Sequence, residues 1–404
     1  MKDNGKKVVV AMSGGVDSSV AAALLKEQGY EVVGVFMQFW FPTGKIYGEN
    51  RCCSLESFNE AKWVADILDI PFHKLNFGPA FKKIIVDEFL KEYGRGKTPN
   101  PCVACNKFIK FDLLLKKVRT IFSADYLATG HYVRLLAENP KSQILNPKQI
   151  QNPKLKLLRG KDENKDQSYF LYNLGQSQLK YLLFPVGDYE KSEVRKLAKK
   201  FKLPVHDKKD SQEICFVGES HYDFLKRYLK LKPGKIIIYS PIFYKGRPHI
   251  KPPPLYKGRV GEGSVLGTHQ GLPLYTLGQR SGIGLSGGPW YVCGFDRKKN
   301  LLIVTKNQNN SAIYQKEFFC HNINWIGKKP KFPLKCKVQI RYHGRAANCI
   351  ILSPCQRGTS RRQVGAGGGR FLTVKFKKSQ RAIMPGQSAV FYNGDEVLGG
   401  GIIK

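Results

Sequence analysis

The stretch KVVVAMSGGVDSSVAAALL, residues 7–25, decides the fold of the N-terminal half. Its apolar start predicts a β-strand, its glycines predict a loop, and the run from Ser18 predicts a helix. Glycines let backbone N–H groups approach a phosphate closely, and a helix N-terminus adds unpaired donors. Ser13 and Ser18 add hydroxyl donors, and Asp17 suits either a Mg²⁺ that bridges phosphates or a helix cap. The stretch therefore predicts a phosphate-binding loop.

No lysine follows these glycines, as the lysine of an ATPase P-loop would. Without such a cation, transfer of a terminal phosphoryl group is a less natural reaction for the loop. The alternative is a glycine turn that only joins a strand to a helix. The whole SGGVDSS run after an apolar strand favours the phosphate loop.

Strand and helix patterns alternate over the first half of the chain. Further strands are predicted at 31–37, 71–76 and 125–130, and helices at 18–28, 54–68, 80–93 and 106–119. Compact apolar strands that alternate with helices indicate a parallel sheet covered on both faces. The predicted fold class is therefore an α/β, Rossmann-like N-terminal domain, which we place at residues 1–220.

After about Ser220 the pattern changes to short strands separated by glycine and proline. Strands are predicted at 235–240, 272–278, 290–296, 301–306, 336–343, 371–376 and 388–404. The Asn393–Gly394 pair predicts a hairpin turn. This half is predicted to be all-β, with a small central β-rich domain at 221–305 and a C-terminal β-barrel at 306–404.

Three basic or glycine- and proline-rich segments, 139–158, 245–263 and 354–369, look like inserted surface loops. We interpret them as decoration, although their charge could add non-specific affinity for RNA.

The composition indicates a polyanionic partner. With 67 basic and 31 acidic residues, the formal net charge is +36. Such an excess suits nucleic acid, because Lys and Arg that bind its phosphates release counterions and thereby favour binding. The alternative is a surface that is basic without a specific partner. No apolar run approaches the ~20 residues of a spanning helix, and the N-terminus does not resemble a signal peptide, so we expect a cytoplasmic protein.

The ten cysteines do not indicate a disulfide scaffold in a chain of 404 residues. Cys102 and Cys105 form a C-x-x-C pair next to a basic predicted helix, where the helix dipole and nearby lysines lower a thiol pKa. Cys105, immediately before the predicted helix, has the better position. A zinc half-site, a thioredoxin-like motif and a sulfur-carrying pair remain open. A zinc site would need another pair of ligands, which the sequence does not show. A thioredoxin-like motif would need a fold that does not contain the SGGVDS loop. The third needs another reactive thiol, for which Cys215 is the candidate.

The order of the motifs resembles a known family. The run from Ala11 to Ser18 resembles the PP-loop of ATP pyrophosphatases, which split ATP between its α- and β-phosphates. It is followed in order by TPNP-x-x-x-CNK (98–107), GHYVR (130–134), KDQSYFL (165–171), DSQEICF (210–216) and LGQRSGIG (277–284). Together these motifs resemble the tRNA-specific 2-thiouridylases, the MnmA/TrmU family, from Lys7 to about Ile403.

The resemblance implies an ATP-dependent tRNA sulfurtransferase. ATP, with Mg²⁺ and no stable protein-bound metal, would adenylate the 2-oxo group of a wobble uridine. Cys215 would carry a persulfide received from a donor such as a cysteine desulfurase or a sulfur relay protein. Cys105 would attack that persulfide and leave a Cys105–Cys215 disulfide; in a variant, hydrogen sulfide is released first and attacks the activated carbon.

The resemblance also implies contact residues. Those implied for ATP are Ala11, Met12, Ser13, Gly14, Gly15, Val16, Asp17, Ser18, Met37 and Gly130. Those implied for tRNA are Asn100, Pro101 and Cys102 around the flipped base, and elsewhere His131, Lys165, Asp166, Gln167, Arg341, Tyr342 and Gln387.

One position departs from the family. Cys102 occupies a place where some members carry an aspartate to which a proton-transfer role has been given. Asp17 and Glu213 are weak substitutes, and Cys102 is also a rival partner for Cys105. Cys52 and Cys53 receive no role, and the cysteines of the β half are interpreted as packing or incidental thiols.

Two other functions explain part of the sequence. Another PP-loop enzyme that adenylates a small carboxylate or amide would explain the loop, but neither the paired thiols nor the charge. A non-enzymatic RNA-binding protein would explain the charge, but neither the loop nor the thiols.

Overall fold

The structure is a computed structural model that describes residues 5–42, 54–138, 154–210, 214–218, 220–239, 265–352 and 371–404. Its strands are β1 Lys7–Ala11, β2 Glu31–Gln38, β3 Phe72–Asn76, β4 Tyr126–Ala128, β5 Val133–Ala137, β6 Leu155–Arg159, β7 Leu182–Leu183, β8 Gly234–Ile238, β9 Val265–His269, β10 Tyr291–Asp296, β11 Leu301–Thr305, β12 Tyr314–Trp325, β13 Leu334–Gln339, β14 Ala347–Leu352, β15 Leu372–Arg381, β16 Ser388–Asn393 and β17 Glu396–Ile403.

The α-helices are α1 Val16–Glu27, α2 Leu55–Ile67, α3 Gly78–Phe81, α4 Asp87–Gly94, α5 Pro101–Ala104, α6 Leu115–Ile121, α7 Gln176–Leu179, α8 Lys191–Lys200 and α9 His221–Tyr228. Two π-helical stretches, Lys82–Val86 and Cys105–Leu114, join α3 to α4 and α5 to α6. Short 3₁₀ turns lie at Ser168–Phe170, Leu272–Leu274 and Ser311–Ile313.

The N-terminal part contains the predicted parallel sheet, in the order β3-β2-β1-β4-β7. Successive side chains of the central strand β1 point to opposite faces. Val8 and Val10 pack with α1, α2 and α8, whereas Val9 packs with the helices between residues 78 and 121. Both faces are thus covered, which explains why β1 is apolar at every central position.

A four-stranded sheet, β10-β11-β8-β9, forms the central β-rich part, and β8 and β11 run parallel within it. The C-terminal strands close into an antiparallel barrel in the order β12-β15-β14-β13-β16-β17, because β17 also pairs with β12. Phe318, Ile351, Val374 and Phe391 are among the side chains that fill this barrel. The predicted fold class is confirmed.

The hairpin β5–β6 extends the barrel sheet, although it belongs to the N-terminal half of the chain. Leu158 of β6 pairs with Glu396 of β17. The prediction of an inserted loop at 139–158 was therefore wrong for Leu155–Leu158, whose backbone groups join the sheet. Residues 139–153 and the other two predicted insertions, 245–263 and 354–369, lie outside the described residues.

Other local predictions need correction. The run 272–278, predicted as a strand, forms a 3₁₀ turn instead, with a proline at its second position. Helix α9 occurs where only strands were predicted, and Ser220 caps it by accepting a hydrogen bond from Asp223 N. The predicted hairpin is confirmed, but Asn393 pairs with Glu396, so its two loop residues are Gly394 and Asp395.

The barrel and the α/β part share a polar seam beneath the barrel wall. Tyr169 donates its hydroxyl proton to the Ser388 carbonyl at 2.9 Å, and the hydroxyls of Ser388 and Tyr172 lie 3.1 Å apart. Asn324 of β12 donates through Nδ2 to the carbonyls of Tyr172 and Leu174, at 2.7 and 3.0 Å. These bonds satisfy polar groups that the packing has removed from water.

Replacing Asn324 with Ala should destabilise the protein by about 1–3 kcal/mol, because two carbonyls lose their donor. Urea unfolding followed by tryptophan fluorescence measures this loss. Asn348→Ala, at an exposed position of β14, is the matched control and should stay within about 0.5 kcal/mol of the parent. Equal stability of the two variants would contradict a role for Asn324 in the seam.

Candidate nucleotide and thiol site

The glycine loop connects β1 to α1 at the carboxyl edge of the parallel sheet. Gly14 has φ 72°, and a Cβ there would overlap the carbonyl oxygen of Ser57 in α2. Helix α1 begins after Gly15, and no side chain caps it. The hydroxyl of Ser18 lies 3.3 Å from that of Ser13 and donates to the carbonyl of Gly15. The first-turn N–H groups of α1 therefore remain available to an anion.

The other predicted nucleotide residues lie at the same edge. Met37 is near the end of β2 and is buried, and Gly130 follows β4. A Cβ on Gly130 would lie 2.6 Å from the backbone nitrogen of Ser18, so glycine is needed for this close approach. The strand order reverses between β1 and β4, which is where open α/β sheets bind ligands. The structure thus brings residues 11–18, Met37 and Gly130 together; their contact with ATP stays a prediction.

A lysine at the start of helix α8 pairs with the aspartate of the glycine loop. Lys191, at the start of α8, is only 9% exposed, and its Nζ lies 2.7 and 2.9 Å from the two carboxylate oxygens of Asp17. Tyr132 donates its hydroxyl proton to the same carboxylate at 2.6 Å. Lys191 lies 174 positions after Asp17, and no motif or spacing in the sequence points to it.

Lys191 also joins the loop to a second carboxylate, because its Nζ lies 2.7 Å from Asp210. Asp210 is paired as well with Lys165 at 2.6 Å and with Arg195 at 3.3 Å. Burial alone would raise the pKa of Asp210, but its bonds to Lys165 and Lys191 outweigh burial and lower the pKa below its ordinary value of 3.8. The carboxylate therefore stabilises the fold above that pH and loses its contribution as the pH falls through the lowered pKa.

The C-x-x-C segment begins its helix earlier than predicted. Asn100 caps α5 by accepting hydrogen bonds from the backbone nitrogens of Cys102 and Val103, and Pro101 occupies the first turn. The first-turn thiol is therefore Cys102, which is half-buried. Cys105 is buried and opens the π-helical stretch one turn later. The prediction that Cys105 lies immediately before the helix was wrong.

The second predicted thiol borders the same apolar cluster as Cys105. Cys215 is half-buried, and its neighbour Phe216 packs edge-on against Phe81 and Phe89. Asp210 lies five positions before Cys215. The ion-paired chain Asp17–Lys191–Asp210 therefore reaches from the glycine loop to the first residue of the motif that contains Cys215.

Two predicted tRNA residues of the barrel half lie against the cysteine segment. The ring of Tyr342 lies 4.3 Å from that of Phe170, centroid to centroid. Burial, followed by the charges of Asp166 and Cys102, raises the pKa of Tyr342 to about 12. Gln387 donates through Nε2 to the carbonyl of Thr98 at 2.7 Å. Arg341, next to Tyr342, is exposed.

Four other predicted tRNA residues have internal partners. His131 is buried and bonded to the Thr129 hydroxyl, and burial, with a smaller effect of Lys110, holds its pKa well below its usual value. Asp166 is buried and accepts bonds from Arg159, Gly160 and Ser168. Gln167 accepts a bond from Tyr132 N, and Lys165 pairs with Asp210. Contact of these four residues with tRNA stays a prediction. For His131 and Asp166, which are buried, such contact would require a conformational change.

Whether this site could hold a metal depends on the donor side chains that it offers. Among the residues that the structure describes, no group of three or more His, Cys, Asp or Glu side chains could hold a metal ion. Mg²⁺ with a nucleotide needs only one or two carboxylates in addition to phosphate oxygens, so Asp17 fits that role. Glu213, Cys52, Cys53 and Cys355 lie outside the described residues.

Over the described ranges, no helix is both long enough and apolar enough to cross a membrane.

Fold and site together define a three-part protein with a nucleotide-type loop in a parallel α/β domain, a central β-rich part and a C-terminal β-barrel. Family models match in the same order: a tRNA methyl transferase HUP domain at residues 6–219, a tRNA methyl transferase PRC-barrel domain at 252–306, and an aminomethyltransferase beta-barrel domain at 363–403.

Relatives match over nearly the full length. The tRNA-specific 2-thiouridylase MnmA of Carboxydothermus hydrogenoformans is 42% identical over 99% of this chain and 98% of its own. The enzyme named MnmA 1 of Caldanaerobacter subterraneus is 43% identical over 98% of both chains. The chain belongs to the MnmA family of tRNA-specific 2-thiouridylases. Among solved structures, the chain is similar to a 4-thiouridine synthetase–RNA complex with bound ATP, over 55% of this chain and 49% of the other, at 14% identity and with a TM-score of 0.32.

Replacing Lys191 with Met should weaken ATP binding about tenfold to a hundredfold, because the loop loses a charge-assisted donor and keeps an unbalanced Asp17. Titration calorimetry measures the affinity, and circular dichroism checks that the variant is folded. Lys196→Met, on the exposed face of the same helix, should bind ATP like the parent. A folded Lys191→Met protein with parental affinity would contradict this role.

Proposed function

We propose that this protein replaces the 2-oxo group of the wobble uridine of tRNA with sulfur, consuming ATP and releasing AMP and pyrophosphate. Its full-length relatives are named for 2-thiouridylation of tRNA. The observation that carries the proposal is the ion-paired chain Asp17–Lys191–Asp210. These ion pairs link the phosphate-type loop to Asp210, the first residue of the motif that contains Cys215. An ATP-dependent thiolating enzyme needs a nucleotide loop and a reactive thiol in one site.

The loop would bind the leaving pyrophosphate, while the uridine oxygen attacks the α-phosphate. The backbone N–H groups at the start of α1, which no side chain caps, would stabilise the negative charge that grows on the leaving pyrophosphate. The ammonium group of Lys191 would then share its hydrogen bonds between Asp17 and the phosphates. Mg²⁺, when bound with ATP, would neutralise phosphate charge, and Asp17 would help to hold it.

The target base would enter between the cysteine segment and the barrel. Asn100, Pro101 and Cys102 would line this base. Phe170 and Tyr342 form an aromatic pair close to Cys102. Aromatic rings stack on bases that have left the helix, so this pair offers a stacking surface for the flipped uracil. Arg341 and Gln387 would contact the tRNA around the base, and the charge of +36 suits its backbone.

Sulfur would arrive as a persulfide on Cys215. Its terminal sulfur forms a bond to the activated C2 carbon, AMP leaves with the former oxygen, and the Cys105 thiolate attacks the inner sulfur. The sulfur–sulfur bond of the persulfide breaks as the Cys105–Cys215 disulfide forms. The variant route would release hydrogen sulfide before the attack on carbon. A cysteine desulfurase or relay protein would supply the persulfide sulfur, and a cellular reductant would reopen the disulfide.

Three further assignments belong to the proposal. The chain divides into domains at 1–220, 221–305 and 306–404, it acts in the cytoplasm, and Lys165, Asp166, Gln167 and His131 contribute to tRNA recognition after rearrangement. Because Asp17 is already paired with Lys191 and Tyr132, it is a poor proton-transfer group in this arrangement.

Replacing Cys105 or Cys215 with Ser should abolish 2-thiouridine formation, because each step of sulfur transfer needs its thiol. ATP-dependent release of pyrophosphate with unmodified tRNA should persist, since activation precedes sulfur transfer. Mass analysis of tRNA nucleosides after incubation with ATP, Mg²⁺ and a persulfide donor detects the exchange of oxygen for sulfur. Cys336→Ala, on β13, is the cysteine control and should thiolate like the parent under reducing conditions.

The outcomes separate the rival functions. Pyrophosphate release with a small amide or carboxylate, and none with tRNA, would favour another PP-loop enzyme. Binding of tRNA without any ATP cleavage would favour a non-enzymatic RNA-binding protein. Full thiolation by either serine variant would rule out the two-thiol route.

A further inference from the structure

Two cysteines outside the candidate site lie side by side on neighbouring strands of the barrel. Cys336 of β13 and Cys349 of β14 are directly paired in the antiparallel register. Their sulfur atoms lie 3.6 Å apart. Directly opposed residues of an antiparallel pair have Cα atoms about 4.5–5.5 Å apart, within the range of about 4.4–6.8 Å that a disulfide spans. A small rotation of the side chains would bring the sulfurs to a bonding distance of about 2.05 Å.

The pair lies in the hairpin that β13 and β14 form. The two cysteines are 13 positions apart, and the chain between them carries Arg341 and Tyr342 from β13 to β14. Tyr342 packs on Phe170 next to Cys102. A bond between Cys336 and Cys349 would therefore close the hairpin that presents Tyr342 to the proposed base pocket.

We propose that Cys336 and Cys349 are a redox modification site, which a low-molecular-weight disulfide such as oxidised glutathione converts into a cross-strand disulfide. The site is distinct from the Cys105 and Cys215 pair, and its oxidation does not depend on the thiolation reaction.

The exposure of the two thiols sets the order of the exchange. Cys336 is half-buried, whereas Cys349 is buried, so the oxidant reaches Cys336 first. The Cys336 thiolate attacks the oxidant, forms a mixed disulfide and releases one reduced thiol. Cys349 then gives up its proton, its sulfur attacks that of Cys336, and the second reduced thiol leaves. The two cysteines lose two electrons and two protons in total, and the oxidant becomes two thiols.

The environment of Cys349 disfavours it as the thiol that starts the exchange. The hydrogen bond with Cys336, followed by burial, raises the pKa of Cys349, so this thiol does not initiate the exchange. Cys320, on β12, is fully buried, and burial raises its pKa as well. Among the described cysteines of the barrel, the adjacent pair with a half-buried member is thus the one that a soluble oxidant can use.

The cross-link should weaken tRNA binding. Tyr342 must part from Phe170 if a base is to stack between them, and a disulfide at the hairpin base restricts that movement. This consequence rests on the proposed function, whereas formation of the disulfide does not.

The test uses the full chain carrying Cys105→Ser and Cys215→Ser, so that the proposed catalytic disulfide cannot form. The protein is treated with oxidised glutathione without tRNA, free thiols are blocked with iodoacetamide, and peptides are mapped by mass. We expect Cys336 and Cys349 to lose reactivity together and to appear in one linked peptide that dithiothreitol separates. Cys336→Ser should abolish the link, and Cys355→Ser should leave it intact.

Independent alkylation of both cysteines after treatment, or a link of Cys349 to Cys355, would overturn the site. Filter binding of tRNA then tests the consequence: the oxidised protein should bind about fivefold or more weakly than the reduced one, and Cys336→Ser should show no difference. Equal affinity of the linked and reduced forms would overturn the effect on the hairpin. Absence of tRNA binding even in the reduced protein would contradict the proposed function and leave the mapped disulfide unaffected.

Discussion

The candidate site depends on one buried cation held between two carboxylates. Lys191 lies within 2.7 Å of both Asp17 and Asp210 and has little contact with water. Removing an ammonium group from water is costly, and only close, well-bonded anions compensate for it. The two carboxylates meet this requirement because they come from the glycine loop and from the segment before Cys215. The position of Lys191 thus ties two distant parts of the chain to a common point.

A second constraint joins the barrel to this centre. Tyr169, Tyr172 and Tyr392 are almost fully buried, and each hydroxyl has a hydrogen-bonding partner across the seam. The guanidinium of Arg159 lies 3.7 Å above the ring of Tyr392 and also pairs with Asp166. Burial raises the pKa of Tyr172 to about 12, so its hydroxyl keeps its proton at neutral pH. These contacts hold the barrel where Tyr342 and Gln387 reach the cysteine segment.

Much of the fold could be predicted because its signals are local. The alternation of Val8, Val9 and Val10 between two cores, the glycine loop and the β16–β17 hairpin all follow from short-range patterns. The errors arose where tertiary contacts overrule such patterns. Leu155–Leu158 follow a basic, proline-containing run, yet they form a strand because β5 and β17 provide ladder partners. Helix α9 buries Phe224 and Leu225 in the main apolar cluster; its Ser220 cap is a local signal, which the surrounding strand-like pattern outweighed in the prediction.

By itself, the sequence determined the phosphate-type loop, the parallel sheet, the barrel class and the identity of the motif thiols, because periodicity, glycine placement and motif order act over short stretches. Only the tertiary structure decided that Lys191 pairs with Asp17 of the loop, that Cys336 lies opposite Cys349, and that several expected tRNA contacts are buried. Those outcomes depend on which side chains meet after distant segments pack together. Ion pairs and disulfides require atoms within a few ångströms of one another. The number of residues between two side chains in the sequence does not tell whether they come that close in the fold.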